Sequence, residues 1–312
     1  MKGGARLGIP PVGKKKPSRV ASPGTVSSTA PRAASSTAPS TPSKTSNLPA
    51  TSSIAVRQCG TVAEFDECVE LEHLTWGEQI VVPSAMFVVA HETGGQILGA
   101  YEKTSPDAPE KLVGFLMAVA GIRGQQIFLH SHMTAVRPEY QNRGIGRQLK
   151  LAQREDALAR GIALVEWTFD PLEIRNAYFN IVRLGAVIPR FIPNCYGVTD
   201  SPLHGGLPTD RLVAEWWVGS ARVKAIVAGT ARKPVSGRAV KRVGLPANIG
   251  EIKQRDRAAA KGIQTEIREK FQRLFAEGYT VTGLETGARE VSYVLERYHV
   301  AQKGNGIVRT GA

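Results

Sequence analysis

Val136-Arg137-Pro138-Glu139-Tyr140-Gln141-Asn142-Arg143-Gly144-Ile145-Gly146 is the stretch on which the fold turns. Upstream, Ile127 to Arg137 reads as a strand, which Pro138 ends. Downstream, Gly144 to Arg160 reads as a helix, closed by Gly161. The order is strand, glycine-rich turn, helix. A helix start offers unpaired backbone N–H groups and a partial positive charge. Glycine lets a ligand approach that backbone with no Cβ in the way. Arg143 and Arg147 add charged donors. Together these describe an anion site suited to a pyrophosphate. A Gly-x-Gly also fits an ordinary turn, so its surroundings must decide. It is not a Walker loop, because no Gly-Lys-Ser/Thr follows, and its two glycines fall short of the three in the dinucleotide fingerprint.

Working outward, Ile54 to Arg57 reads as a short strand, and Thr61-Val62-Ala63-Glu64 as a capping box. That box opens a helix with apolar Phe65, Val69 and Leu74. Pro83 starts a second helix to about His91. Gln96 to Glu102 is a strand, and Lys111 to Ala120 another, broken off by Gly121. Beyond the glycine-rich turn, Ala163 to Phe169 is a strand ended by Asp170-Pro171. Glu173 to Leu184 is a helix closed by Gly185, and Val187 to Ile192 and Leu212 to Val218 are strands. Ser220 to Gly250 reads as a linker rich in Gly, Arg and Lys. Glu251 to Glu277 is a long amphipathic helix, and Tyr279 to Leu284 with Val291 to Glu296 form a closing hairpin. The domains expected are a tail over 1–50, an α/β domain over 51–218, a basic linker over 219–250 and an extension over 251–298.

The chain has 312 residues and a net charge of +13. Residues 1–50 carry +8 of it with no acid, leaving +5 for the rest. That tail is dominated by Ser, Thr, Ala, Pro and Gly, so it is expected to be disordered. The folded part is only mildly basic, which argues against nucleic acid as the main partner. Contact of the tail with RNA, DNA or acidic surfaces through Lys14-Lys15-Lys16 stays open, as does a role as a transit peptide. No run approaches 18 apolar residues, which argues against a membrane partner. Three scattered cysteines, Cys59, Cys68 and Cys195, suit neither a disulfide frame nor a metal site, and point to reduced thiols in the cytoplasm.

In context, Val136 to Gly146 resembles the acyl-CoA motif of the GNAT acetyltransferase superfamily, Gln/Arg-x-x-Gly-x-Gly/Ala between the fourth strand and the next helix. Gln141, Gly144 and Gly146 fill its fixed positions. Longer stretches are similar to a bacterial branch of that superfamily with a C-terminal extension: His130-Ser131-His132-Met133, Trp167-Thr168-Phe169-Asp170-Pro171 and Pro193-Asn194-Cys195-Tyr196-Gly197 among them. The resemblance covers about residues 54–296. It implies a three-layer α/β fold whose central, mostly antiparallel sheet is splayed between strands 4 and 5. It also implies acetyl-CoA as co-substrate, no metal, and an amine acceptor, taken as a small molecule. The pyrophosphate would sit on Gln141, Asn142, Arg143, Gly144, Ile145, Gly146 and Arg147. The pantetheine arm would lie along Met133, Thr134, Ala135 and Val136, with Asn176 as a further contact whose offset from Gly185 is not the common one.

An amine must lose its proton before it attacks, since a lysine-type amine has a pKa near 10.4 and an α-amine near 8. His130 and His132 stand two apart on a strand, so both point to one face, and histidine titrates near neutrality. Arylalkylamine acetyltransferases resemble this stretch, and their His-x-His is linked to deprotonating the amine. The plain alternative is a pair of hydrogen-bonded structural histidines. Many relatives protonate the leaving thiolate with a Tyr at the position of Ile181, so this chain departs from the pattern; Tyr196 and Tyr178 are the candidates to substitute, or are simply packed aromatics with bonded hydroxyls. Asp170, at the C-terminal end of a strand, is a candidate to receive the acceptor's charge or simply a turn residue. Cys195 as an acyl carrier has no partner, and Trp216-Trp217 reads as packing. A binding module that holds acyl-CoA without turnover stays as the second reading, and the oligomeric state stays open.

Overall fold

The computed structural model describes residues 53–78, 81–105, 107–197, 206–231 and 240–298. The expected tail over 1–50 lies outside them. Strand β1 (Ser53–Gln58) leads into helix α1 (Val62–Trp76). The capping box forms as expected: Thr61 Oγ1 accepts from Glu64 N at 3.3 Å, and Glu64 Oε2 accepts from Thr61 N at 3.1 Å. Helix α2 (Ser84–Glu92) follows. Strands β2 (Gln96–Lys103), β3 (Lys111–Arg123) and β4 (Gln126–Val136) then make an antiparallel meander. Helix α3 (Ile145–Ala159) crosses over to β5 (Leu164–Phe169), which lies parallel to β4.

The two faces of this meander are covered by different helices. Ile145, Leu149 and Ala157 of α3 pack on Leu98, Val113, Leu116 and Leu129. Phe65, Leu71 and Phe87 of α1 and α2 pack with Phe115, Met117, Met133 and Ala135. Alternate residues along each strand therefore feed two separate apolar layers, which makes a three-layer sandwich.

Helix α4 (Ile174–Tyr178) runs into a π turn over Phe179–Arg183, where Leu184 N donates to Phe179 O at 3.0 Å. Strands β6 (Val187–Ile192) and β7 (Arg211–Trp217), helix α5 (Ala221–Val227) and strand β8 (Lys241–Pro246) come next. Helices α6 (Ile249–Arg255) and α7 (Arg257–Ala276) precede the hairpin of β9 (Thr280–Thr286) and β10 (Glu290–Glu296). Among the described residues the strand order is β1-β2-β3-β4-β5-β7-β6-β9-β10-β8. The last three strands join through Ile188 opposite Val281. The C-terminal segment thus continues the sheet. Arg268 on Asp210, Lys253 on Asp170 and the Tyr293 hydroxyl on Pro171 O tie it further.

Three expectations needed correction. Gly121 does not break β3. A Cβ there would come within 2.6 Å of the Phe128 ring across the ladder, so the glycine makes room for the aromatic and pairing continues to Arg123. The stretch read as linker, 219–250, contains α5 and β8, and β8 pairs with β10 along its whole length. The long helix is two helices, because Asp256 is extended (φ −140°, ψ 90°) and its carboxylate caps α7 by accepting from Ala259 N at 2.9 Å. Removing that cap with Asp256→Ala is expected to cost about 1 kcal/mol. A urea midpoint lowered with an unchanged slope would register it. No helix among the described residues is long and apolar enough to cross a membrane.

Candidate active site

The glycine-rich loop starts where a 3-10 turn over Pro138–Tyr140 carries the chain off β4. Gln141 Nε2 returns to Val136 O at 3.1 Å and pins the loop to the strand end. Asn142 (φ 62°) and Gly144 (φ 82°) both adopt the left-handed conformation, and Gly144 is the N-cap of α3. Their turns point the first amides of α3 outward. The N–H groups of Asn142, Arg143, Gly144, Ile145 and Gly146 have no acceptor among the described residues, whereas Gln148 N returns to Gly144 O at 3.0 Å. A Cβ built on Gly144 or Gly146 meets nothing within 4 Å, so the space in front of the loop is open.

Two arginines flank that space. Arg143 lies over the Tyr140 ring at 5.0 Å, and Arg147 Nη2 donates to Val227 O at 3.2 Å. Each keeps one buried donor without a partner, Arg143 Nη1 and Arg147 Nε. Buried guanidinium donors left unpaired are costly, and an anion on the loop would satisfy them. The residues present therefore fit a pyrophosphate.

Beside the loop, β4 and β5 share only two pairs, Leu129 with Val165 and His130 with Glu166. Past them the strands separate. Met133, Thr134, Ala135 and Val136 continue to pair with β3 but have no strand partner on the β5 side. Met133 and Ala135 turn their side chains into the layer under α1 and α2. The slot runs from the crossing at His130 and Glu166 toward the glycine-rich loop.

His130 and His132 do share a face, with ring centroids 6.4 Å apart. A β-bulge helps: Met117 faces Met133 and Ala118 faces Ser131, so His132 is an extra residue with no partner on β3. His132 keeps an exposed edge, yet the protein mass around its ring and the neighbouring His130 both lower its pKa from the usual histidine value. His130 Nδ1 lies 3.9 Å from Glu166 Oε1. Glu166 is 7% exposed and receives Arg123 Nη2 at 2.7 Å and Arg190 Nη2 at 3.0 Å. Burial pushes its carboxyl up, but the nearby His130 and the Arg123 and Arg190 guanidiniums outweigh it and hold the group down at about 2. Glu166 had gone unnoticed in the sequence. Its signal was an acid in the middle of the apolar run Leu164-Val165-Glu166-Trp167.

On the far side of the slot, the Thr168 and Tyr196 hydroxyls are 3.0 Å apart. Thr168 lies two residues beyond Glu166 on β5. Tyr178 is exposed on α4, and Ile181 is buried in the core. Asp170 is engaged elsewhere: its carboxylate accepts from Leu172 N at 2.8 Å and pairs with Lys253 Nζ at 3.3 Å. It fastens the strand end to α6 and is not assembled with the histidines. Asn176 is exposed, while Asn180, one turn on and inside the π turn, is buried. Cys195 is half-buried and free.

Residues 60–179 match the acetyltransferase (GNAT) family. A comparison with curated protein sequences gives no match. Among solved structures, the chain is similar to the ribosomal-protein-S18-alanine N-acetyltransferase of Escherichia coli, with 17% identity, 54% of this chain and 96% of that one covered, and a TM-score of 0.41. It is similar to NAA60 of Arabidopsis thaliana in complex with acetyl-CoA, with 15% identity, 53% and 99% covered, and a TM-score of 0.44. It is also similar to aminoglycoside 6'-acetyltransferase type Ii, with 18% identity, 53% and 98% covered, and a TM-score of 0.39. The family match spans β1's end to α4, the segment that holds the meander, the glycine-rich loop and the slot. Over residues 60–179, therefore, the chain is similar to the acetyltransferase (GNAT) family.

Proposed function

We propose that the protein transfers an acetyl group from acetyl-CoA to the amine of a small molecule by direct attack in a ternary complex. The observation that carries this reading is the slot between β4 and β5, which opens beyond two residue pairs and leads from the unpaired loop amides to the imidazoles. Acetyl-CoA supplies the thioester. The amides of Asn142 to Gly146, with Arg143 and Arg147, bind its pyrophosphate. The free edge of Met133 to Val136 lines the slot for the arm. The exposed face carrying His132 receives the amine.

The transfer forms one C–N bond and breaks one C–S bond. One proton leaves nitrogen and one is delivered to sulfur. His132 takes the first, because its lowered pKa keeps it neutral at pH 7. His130 stands beside it, with its Nδ1 side toward the ionised Glu166. The Tyr196 hydroxyl, bonded to Thr168 of β5, delivers the second proton in the role that Ile181 is unable to fill. Asn180 rather than Asn176 is the asparagine we assign to the slot side of α4, because it is the buried one.

The test is a panel of primary amines, from monoamines to amino acids, incubated with acetyl-CoA. The expected result is free thiol released in step with acetylated amine, measured by mass. The buried Ile181, where a proton-donating Tyr is common, favours the second reading of a module that holds acyl-CoA without turnover. CoA binding with no amine-dependent thiol release across the panel would select that reading.

A further inference from the structure

Lys150 lies on α3 and is only 5% exposed, and its amine has no carboxylate partner among the described residues. A lysine is almost never buried unpaired, so this one calls for a reason. Its Nζ donates to Ser131 Oγ at 2.8 Å and to Gln153 Oε1 at 3.0 Å, and sits 4.1 Å from the centroid of the Trp167 ring. Ser131 and Trp167 are the residues that directly follow the last β4–β5 pair, His130 with Glu166. The amine thus bridges the two strands at the point where their ladder ends. Gln153 is held in turn by Gln96, which donates to Asp156 Oδ2 at 2.5 Å. This chain of hydrogen bonds fixes the lysine from α3 and β2.

The slot has a direction. Its open end meets the loop at Gly144, and its closed end is the crossing of β4 and β5. A donor with its pyrophosphate on the loop extends inward, with its acyl carbon as the innermost part. We propose that Lys150 is the wedge that closes the inner end of the slot and thereby limits the length of the acyl chain the protein accepts. The inference rests on the acetyl-CoA reading above and adds the determinant of acyl size. The wedge lies against the Trp167 ring and fills the inner end by its length, which leaves no room for further methylenes. Burial pushes the lysine amine down to about 7.

The test is calorimetric titration with CoA, acetyl-CoA and butyryl-CoA. The parent is expected to bind acetyl-CoA at least about tenfold more tightly than butyryl-CoA, within the range that two badly accommodated methylenes produce. Lys150→Ala, which shortens the wedge, should bring the two affinities within about threefold. Lys150→Met, which keeps its length, should preserve the discrimination. Bare CoA should bind all three proteins alike, because the loop lies at the other end of the slot. The ratio reads only the folded protein, so lost stability in a variant does not mimic the effect. A lysine that merely supports the fold would lower the melting temperature in both variants and leave the ratio unmoved, which would overturn the wedge while the acetyl-CoA reading stands. A parent that binds butyryl-CoA as tightly as acetyl-CoA overturns it with no variant needed. A parent that binds no CoA overturns both.

Discussion

Replacing His132 by Gln is expected to lower kcat/KM about 10²-fold, the contribution of a positioned general base. Gln keeps size and polarity but does not titrate near neutrality. The bulge makes His132 the one residue of this stretch of β4 without a partner on β3, so its ring is aimed by the bulge and keeps an exposed edge at the slot. Its pKa is lowered by burial and by His130, so the neutral base persists at pH values below the ordinary histidine midpoint. The acid limb of kcat/KM in the parent should therefore lie below about 6.5, and that limb should vanish in the variant. The same shift has a stability sign. A histidine whose folded pKa is depressed contributes stability above its unfolded pKa and loses it as pH falls through the folded value. His132→Gln should consequently be less sensitive to acid than the parent. A structural histidine would behave otherwise: lower melting temperature with the acid limb unmoved. His130→Gln should cost less, because His130 acts beside Glu166 and not at the slot itself. If the two histidines share one proton path, the double variant should lose well short of the combined single losses.

The parts of this molecule that were legible in the sequence are those whose signals are local. The loop is written in consecutive residues, since Gly144 supplies a left-handed N-cap and Gly146 an uncovered first turn. Thr61 and Glu64 are likewise a cap within four residues. The His130 and His132 pair could be assigned to one face from strand alternation alone, and the bulge preserves that assignment. The misreadings share a different character, because each depends on a partner far along the chain. Lys241 to Pro246 is polar at its start and becomes a strand only against β10, some fifty residues later. Gly121 reads as a stop unless the Phe128 ring opposite is known. Asp256 sits inside an amphipathic pattern, and only the backbone turn converts it from a surface charge into a cap. Lys150 carries no local mark in the sequence, yet it is buried beside the crossing of β4 and β5. Asn176 was named despite its uncommon offset from Gly185; it is exposed, while Asn180, inside the π turn at Phe179–Arg183, is buried.

The second large effect concerns the loop. Gly144 is a poor site for a test, because its φ of 82° strains any side chain whether or not a ligand binds there. Gly146 is better. Its backbone is unstrained, and a Cβ there meets nothing within 4 Å, so a substitution intrudes on the ligand and not on the protein. Gly146→Asp puts an acid in the first turn of α3, where the helix dipole favours a negative side chain, so the melting temperature should be kept or raised. The same carboxylate faces the position of the pyrophosphate and competes for the unpaired amides and for Arg143 Nη1. CoA affinity should fall at least about tenfold, or about 1.4 kcal/mol. The direct measurement is calorimetric titration of CoA into the parent and into Gly146→Asp, with both melting curves in hand. Saturable one-to-one binding by the parent, weakened at least tenfold in an equally stable variant, is the result expected of a pyrophosphate held on this loop. Equal affinity in the two proteins would contradict it.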